Sequence, residues 1–485
     1  MTSSRRERSE TERRDEAIER AAAVPARVIE TARAQGKGAA MGSGNPLDVY
    51  RDVAGLSGLE WAREQRPHMP FGTTLTSART RWVAHLAVLR VELPFVARIE
   101  AIVTEPDLAD HARSEAHVVE KRPYRTLLRE WITRRASDAR AERAHRDEAW
   151  RALEARASAL ASDLGELHER RFEAARRAHL AHPESAGLQM APALVAQTAE
   201  HFLRATDDLA RDTLARARLR YDAVTPRDFY LEHVLAADAC DPFPPRPRSH
   251  WFQDLFGPLG RTYAPRDAAF AEDPAGASTF ARALGTFGRT LAHARLDVQT
   301  TMPFPLRRDP RDASLHEAEA LFAGLVTHAP FLVRRLDVDR GRARDVAVRL
   351  TAMTLADARH RATCALLGMT ARPSRDDFDE ACLRAYGFTL PPSLSLAWPW
   401  PSPAAPPPLG RFVAALEAHR YFVALVDRHD DDWFANPRAH RDLEGHYMSA
   451  RSPHGLTTSD DTAQDAHVAL DAATRFARAF EGQLA

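Results

Sequence analysis

Lysine is nearly missing from this chain: Lys37 and Lys121 are the only two among 67 basic residues, and all the others are arginine. Acidic residues also number 67, so no net field draws the protein toward nucleic acid or an anionic membrane. Cysteine is scarcer relative to length. Cys240, Cys364 and Cys382 are widely spaced with no CxxC pair, which excludes a disulfide framework and a cysteine zinc knuckle and suits a reducing cytoplasm. No apolar run is long enough to span a bilayer, and the opening stretch MTSSRRERSETERRDEAIER lacks the apolar segment of a secretion signal. The expectation is a cytoplasmic protein with no membrane and no nucleic-acid partner. Period-two alternation bounded by hairpin turns is absent too, which leaves strands a minor element at most.

What is present is helical periodicity. A chain of 485 residues exceeds one small core, so two packed lobes are expected. Residues 1–46 read as a flexible charged leader ending in GKGAAMGSGNP, residues 47–224 as an N-terminal helical lobe, and residues 225–485 as a C-terminal helical lobe. Between Pro123 and Pro183 there is no proline and a single glycine, Gly165. Leu153, Ala157, Leu160, Leu164 and Leu167 recur there at steps of four and three, one stripe of a long helix. The segment from Ala193 to Tyr221 repeats the pattern, and the two are expected to pair antiparallel. Thr225-Pro226-Arg227-Asp228 and Ser374-Arg375-Asp376-Asp377 have the residues of helix starts, and Gly387 can end the second helix. Eight prolines between Pro391 and Pro408 predict an extended crossing at 390–410, packed by Trp398 and Trp400 or offered to a protein partner with an aromatic groove.

The chemistry concentrates in FGRTLAH (Phe287 to His293) and SLHEAEALF (Ser314 to Phe322). Phe280, Leu284, Phe287 and Leu291 share one helix face, while Gly285, Arg289 and His293 stand four apart on another. An H-E-x-x-H zinc helix needs two histidines at that spacing to meet one metal, a glutamate between them as general base, and a third ligand from elsewhere.

Leu315-His316-Glu317-Ala318, placed after such a helix, resembles the second metal-bearing helix of the helical zinc oligopeptidases. That group includes angiotensin-converting enzyme, thimet oligopeptidase and their bacterial relatives. The resemblance covers roughly residues 47–450, with motif-level weight only in 287–322. It implies a mainly α, two-lobed helical oligopeptidase-like fold with a central cleft. Two registers stay open: Arg289-Thr290-Leu291-Ala292-His293 on the motif, which keeps His293 as a ligand position, or Gly285-Thr286-Phe287-Gly288-Arg289. Either way a threonine, Thr290 or Thr286, replaces the base, and its hydroxyl is far too weak to take a proton from water. Arginine neither deprotonates nor coordinates zinc. The ligand positions Arg289, His293 and Glu317 are therefore expected to be vestigial, with no metal and no cofactor bound and Arg289 paired to a buried Glu317 in the metal's place.

His419 and Tyr421, in EAHRYF, fall near where the group places substrate-contacting residues, and His316 flanks Glu317. Other histidine pairs read as structural. His179 and His182 lack a third ligand, His111/His117 and His440/His446 are six apart and so face different sides, and Asp357/His360 fits a salt-bridged pair. Three functions stay open: a catalytically inactive pseudopeptidase that binds short peptides, a metallopeptidase with an unorthodox site that would need zinc, and a helical scaffold.

Overall fold

A computed structural model describes residues 10–35, 45–64, 72–104, 139–188, 190–221, 243, 249–265, 277–298, 304–307, 314–396, 407–448 and 462–484. Among these, every regular element is a helix and there is no strand. In chain order the α-helices are α1 (Glu10–Ala22), α2 (Val24–Gln35), α3 (Leu56–Glu64), α4 (Gly72–Thr104), α5 (Ala139–Arg177), α6 (Pro192–Tyr221), α7 (Ser249–Tyr263) and α8 (Ala277–Val298). They continue as α9 (Phe304–Arg307), α10 (Ser314–Ala323), α11 (Ala329–Leu336), α12 (Arg340–Leu367), α13 (Arg375–Tyr386), α14 (Pro408–His429), α15 (Pro437–Met448) and α16 (Thr462–Leu484). No described helix is long and apolar enough to cross a membrane.

Within the expected leader, residues 10–35 form two docked helices. Ile18, Ala21, Val24 and Val28 step along α1 and α2 at intervals of three and four and are buried against α3 and α4. Arg79 of α4 grips Asp15 with two hydrogen bonds of 2.7 and 2.6 Å, both side chains nearly buried. High charge density concealed a narrow apolar stripe, and that stripe plus one buried ion pair suffices to dock the segment. Helix α4 carries Pro94 in its interior, where the ring removes the donor that the carbonyl of Arg90 would use. The Asn45 side-chain amide supplies it, donating to Arg90 O at 2.5 Å, and its oxygen accepts from Leu47 N at 3.0 Å.

In α5 the stripe members Ala157, Leu160, Leu164 and Leu167 are buried, while the side chain of Leu153 lies outside the described residues. The partner of α5 differs from expectation. Helix α5 packs on α4 and joins Phe95 and Ile99, whereas α6 buries Phe202 against α12, α14 and α16. Helix α6 thus packs with the C-terminal helices. Helix α12 feeds three separate core clusters, with Ala343, Val346 and Leu350 in one, Cys364 and Leu367 in a second and Leu355, Ala358 and Ala362 in a third. On it Arg359, almost fully buried, uses its guanidinium to tie Leu203 O, Thr206 and Asp207 of α6 to Arg384 O of α13. Local signals held at α13. Ser374 and Asp377 form a reciprocal capping box, and Gly387 ends the helix at φ 75°. The start expected at Thr225, Trp398, Trp400 and the pair His111/His117 lie outside the described residues, while Pro392–Leu394 forms a short 3-10 turn.

Candidate functional site

Helix α8 has the apolar face its spacing predicts: Phe280, Leu284, Phe287 and Leu291 are all buried. Phe287 stacks on Phe256 at 4.7 Å and meets Phe322 of α10 edge-on at 5.1 Å. Two glycines then set how closely α8 lies on α10. A Cβ at Gly288 would stand 2.3 Å from Ala318 O, and one at Gly285 would stand 3.1 Å from both Cγ and O of Glu319. This contact fixes the rotation of α10, and with it the outlook of both glutamates.

Glu317 turns away from Arg289. It is buried, and its Oε1 accepts hydrogen bonds from His446 Nε2 at 2.8 Å and from Tyr447 OH at 3.3 Å, both on α15. Tyr421 of α14 stacks on the His446 ring at 3.9 Å, and its hydroxyl donates to Asp442 O at 3.3 Å. Burial, reinforced by the Glu317 charge, pushes both phenols above the usual tyrosine range, so both stay protonated donors.

The expected Arg289–Glu317 pair is therefore overturned. Arg289 is 53% exposed and faces Glu319, 3.7 Å away and itself 40% exposed. His316 Nδ1 stands 3.7 Å from the same carboxylate oxygen. Residues 317 and 319 differ by about 200° around a helix, so a motif match cannot tell which one faces the preceding helix. His293 is exposed, and no hydrogen bond or ion pair joins it to Glu317. Thr290 Oγ1 donates to Thr286 O at 3.0 Å, a back-bond along its own helix.

The remaining candidates separate in the same way. Tyr421 joins the Glu317 cluster, but His419 packs on Phe476 of α16 at 4.9 Å, and burial lowers its pKa to about 4. His182 bonds Gly368 O at 2.9 Å and accepts from Glu184 N at 3.1 Å, independently of His179. His440 bonds Phe434 O while His446 reaches Glu317, so the two do face different sides. His446 and Tyr447 were missed as site residues; the adjacent His-Tyr pair in EGHYM was the available signal.

A second charged group lies on α12. Arg361 of α12 holds Asp357 Oδ2 through Nε at 2.8 Å and Nη2 at 2.7 Å. Burial acts to raise the pKa of Glu319 and of Asp357, yet both are held below the carboxylate range. His316, Arg289 and Arg361 do this at Glu319, and Arg361, His360 and Arg411 at Asp357. Asp357 is nonetheless 51% exposed. Beside it, His360 and Cys364 lie 3.4 Å apart; burial lowers the imidazole to about 3 and raises the thiol to about 12, so they form a neutral pair and not a reactive thiolate.

The resemblance seen in the sequence implies a zinc ion, and the described residues do not fit one. Glu317 is committed to His446 and Tyr447, Arg289 opposes Glu319, and no group of three His, Cys, Asp or Glu able to hold a metal occurs among the described residues.

No family profile matches the sequence, and no curated protein is similar to it in sequence. A solved structure is similar: the crystal structure of a protein described as an oligoendopeptidase F from Bacillus anthracis str. Ames. It superposes with a TM-score of 0.53 at 9% identity, covering 88% of this chain and 82% of that chain. At that identity the likeness speaks for architecture alone, and this chain has a mainly α, oligopeptidase-like fold.

Proposed function

We propose that this chain is a peptide-binding protein on an oligopeptidase-like fold, one that does not hydrolyse peptides through zinc. The observation that carries the reading is Arg289, at a position the resemblance gives to a zinc-ligating histidine, set instead against Glu319 across α8 and α10. A guanidinium there repels a divalent cation and satisfies the carboxylate. Thr290, at the position of the base, directs its hydroxyl into the helix backbone. What remains there is a set of partly exposed charged side chains, Arg289, His316 and Glu319 on α8 and α10 and Asp357 and Arg361 on α12, polar enough to meet a peptide backbone. Cys364 and Cys382 are buried thiols, which suits a cytoplasmic protein.

The test has two arms. Purified protein should carry no stoichiometric zinc by elemental analysis and should not cleave a short-peptide library with or without added zinc. The same peptides should raise its melting temperature, since anything that binds only the folded state stabilises it. Chelator-sensitive cleavage would establish the metallopeptidase reading in its place, and the absence of any thermal shift would leave the scaffold reading.

A further inference from the structure

Away from the Glu317 and Arg289 groups, α6, α12 and α13 line a cavity of about 300 Å³. Its apolar surface comes from Ala210, Ala352, Leu355, Ala356 and Leu383. Three of these are alanines, and it is their short side chains that leave the space open. On α12, Ala352, Leu355, Ala356 and Arg359 recur at steps of three and four, which puts the cavity on the side of that helix opposite Arg361. Leu383, 51% exposed, is one of three large apolar side chains left open to solvent among the described residues.

The charges around the cavity satisfy one another, with one gap. Arg359 spends all five of its N–H groups, on Leu203 O, Thr206 Oγ1, Asp207 Oδ1 and twice on Arg384 O. Arg384 donates to Glu200 Oε2 through Nη1 at 2.6 Å, and Arg211 pairs with Asp208. The gap lies between Asp207 Oδ2 and Arg384 Nη2. They stand 3.9 Å apart, too far to hydrogen-bond, and neither atom makes another hydrogen bond among the described residues. Both residues line the cavity. We propose that this cavity binds a neutral primary amide carried on a compact apolar body. An acceptor and a donor at that spacing match the N–H and C=O on one edge of a primary amide, and both bonds are charge-assisted. A ligand with a net charge is rejected in either sign, since an anion meets Asp207 and a cation meets Arg384. An apolar cavity of about 150 Å³ takes benzene, so this one has room for two rings.

The experiment is a ligand-observed NMR titration of the full chain with naphthamide. Acetylnaphthalene, naphthoate and naphthylmethylamine serve as controls, because they keep the rings but lose the N–H donor or add a charge of one sign. The amide should bind with a Kd on the order of 1 mM or tighter. Each control should bind at least about tenfold more weakly, the loss of one hydrogen bond to a charged group. Ala352→Leu fills the space and should abolish binding by a chain that still unfolds cooperatively in urea. If that variant does not fold, Leu383→Gln at its exposed position decides instead, and it should weaken the amide at least about threefold by removing apolar contact. A peptide with blocked ends and a central glutamine separates the sources of the amide. Displacement of naphthamide by it assigns the cavity to a glutamine side chain, and no displacement assigns it to a free small molecule. Equal binding of all four naphthalenes, binding of none, or unchanged binding by the folded variant would overturn the site.

Discussion

Glu184 tests whether burial or hydrogen bonding governs a carboxylate at the joint between the N-terminal helices and α14. Its oxygens accept from Gly410 N at 3.0 Å and Leu409 N at 3.5 Å at the start of that helix, and Arg171 and Arg411 favour its charge. Burial nevertheless prevails and pushes the carboxyl from 4.5 up to about 7. A pKa raised on folding means that the native state binds the proton more tightly than the unfolded chain does. The stability this confers is complete below 4.5 and is lost as the pH rises through about 7. A shift of that size corresponds to about 3 kcal/mol. Glu184→Gln keeps the shape and an acceptor for Gly410 but carries no charge. In urea unfolding the variant should come level with wild type as the pH falls below 4.5 and exceed it by about 3 kcal/mol near pH 8, the slope m being unchanged. The difference between the two proteins is the readout, because neighbouring histidines titrate with the opposite sign. Burial lowers His182 to about 4 and His168 to about 3, so their contribution is lost as the pH falls below 6.5, equally in both proteins. A difference that does not change with pH, or a variant weaker than wild type near pH 8, would mean that the helix terminus and the guanidiniums outweigh burial.

Asp15→Ala should lower stability by roughly 3–5 kcal/mol, because it strands the buried Arg79 without its partner; a loss under about 1 kcal/mol in chemical denaturation would show that α1 is only loosely attached. Gly288→Ala should destabilise by roughly 1–3 kcal/mol as the new Cβ forces α8 off α10, whereas Gly324→Ala, with nothing within 4 Å, should have little effect. Equal melting temperatures for these two variants would refute the close approach. Arg289→Ala removes an exposed ion pair and should change stability by at most about 1 kcal/mol. Glu317→Ala strips a buried acceptor from His446 and Tyr447 and should cost about 1–3 kcal/mol, an ordering that a denaturation comparison of the two variants decides.

Local and periodic features of the fold were legible in the sequence. The spacing of Phe280, Leu284, Phe287 and Leu291 gave α8 its buried face, and the stripe from Ala157 to Leu167 did the same for α5, since period alone fixes which side of a helix is apolar. Ser374 and Gly387 bounded α13 because capping chemistry involves only residues a few positions apart. The stripe through Ile18, Ala21, Val24 and Val28 was also present in the sequence, but it is narrow and set among charges, and only the groove of α3 and α4 makes it a docking face. Which helices pair was not legible: α5 chooses α4 and α6 chooses α12, because an apolar stripe specifies burial and not a partner. The site shows the same division. The sequence determined that arginine and threonine stand where a zinc ligand and a base are expected, a matter of residue identity. Tertiary structure decided that Glu319 and not Glu317 meets Arg289. The Gly288–Ala318 approach sets the rotation of α10, and a turn of about 200° between neighbouring glutamates sends one to solvent and the other to His446 and Tyr447.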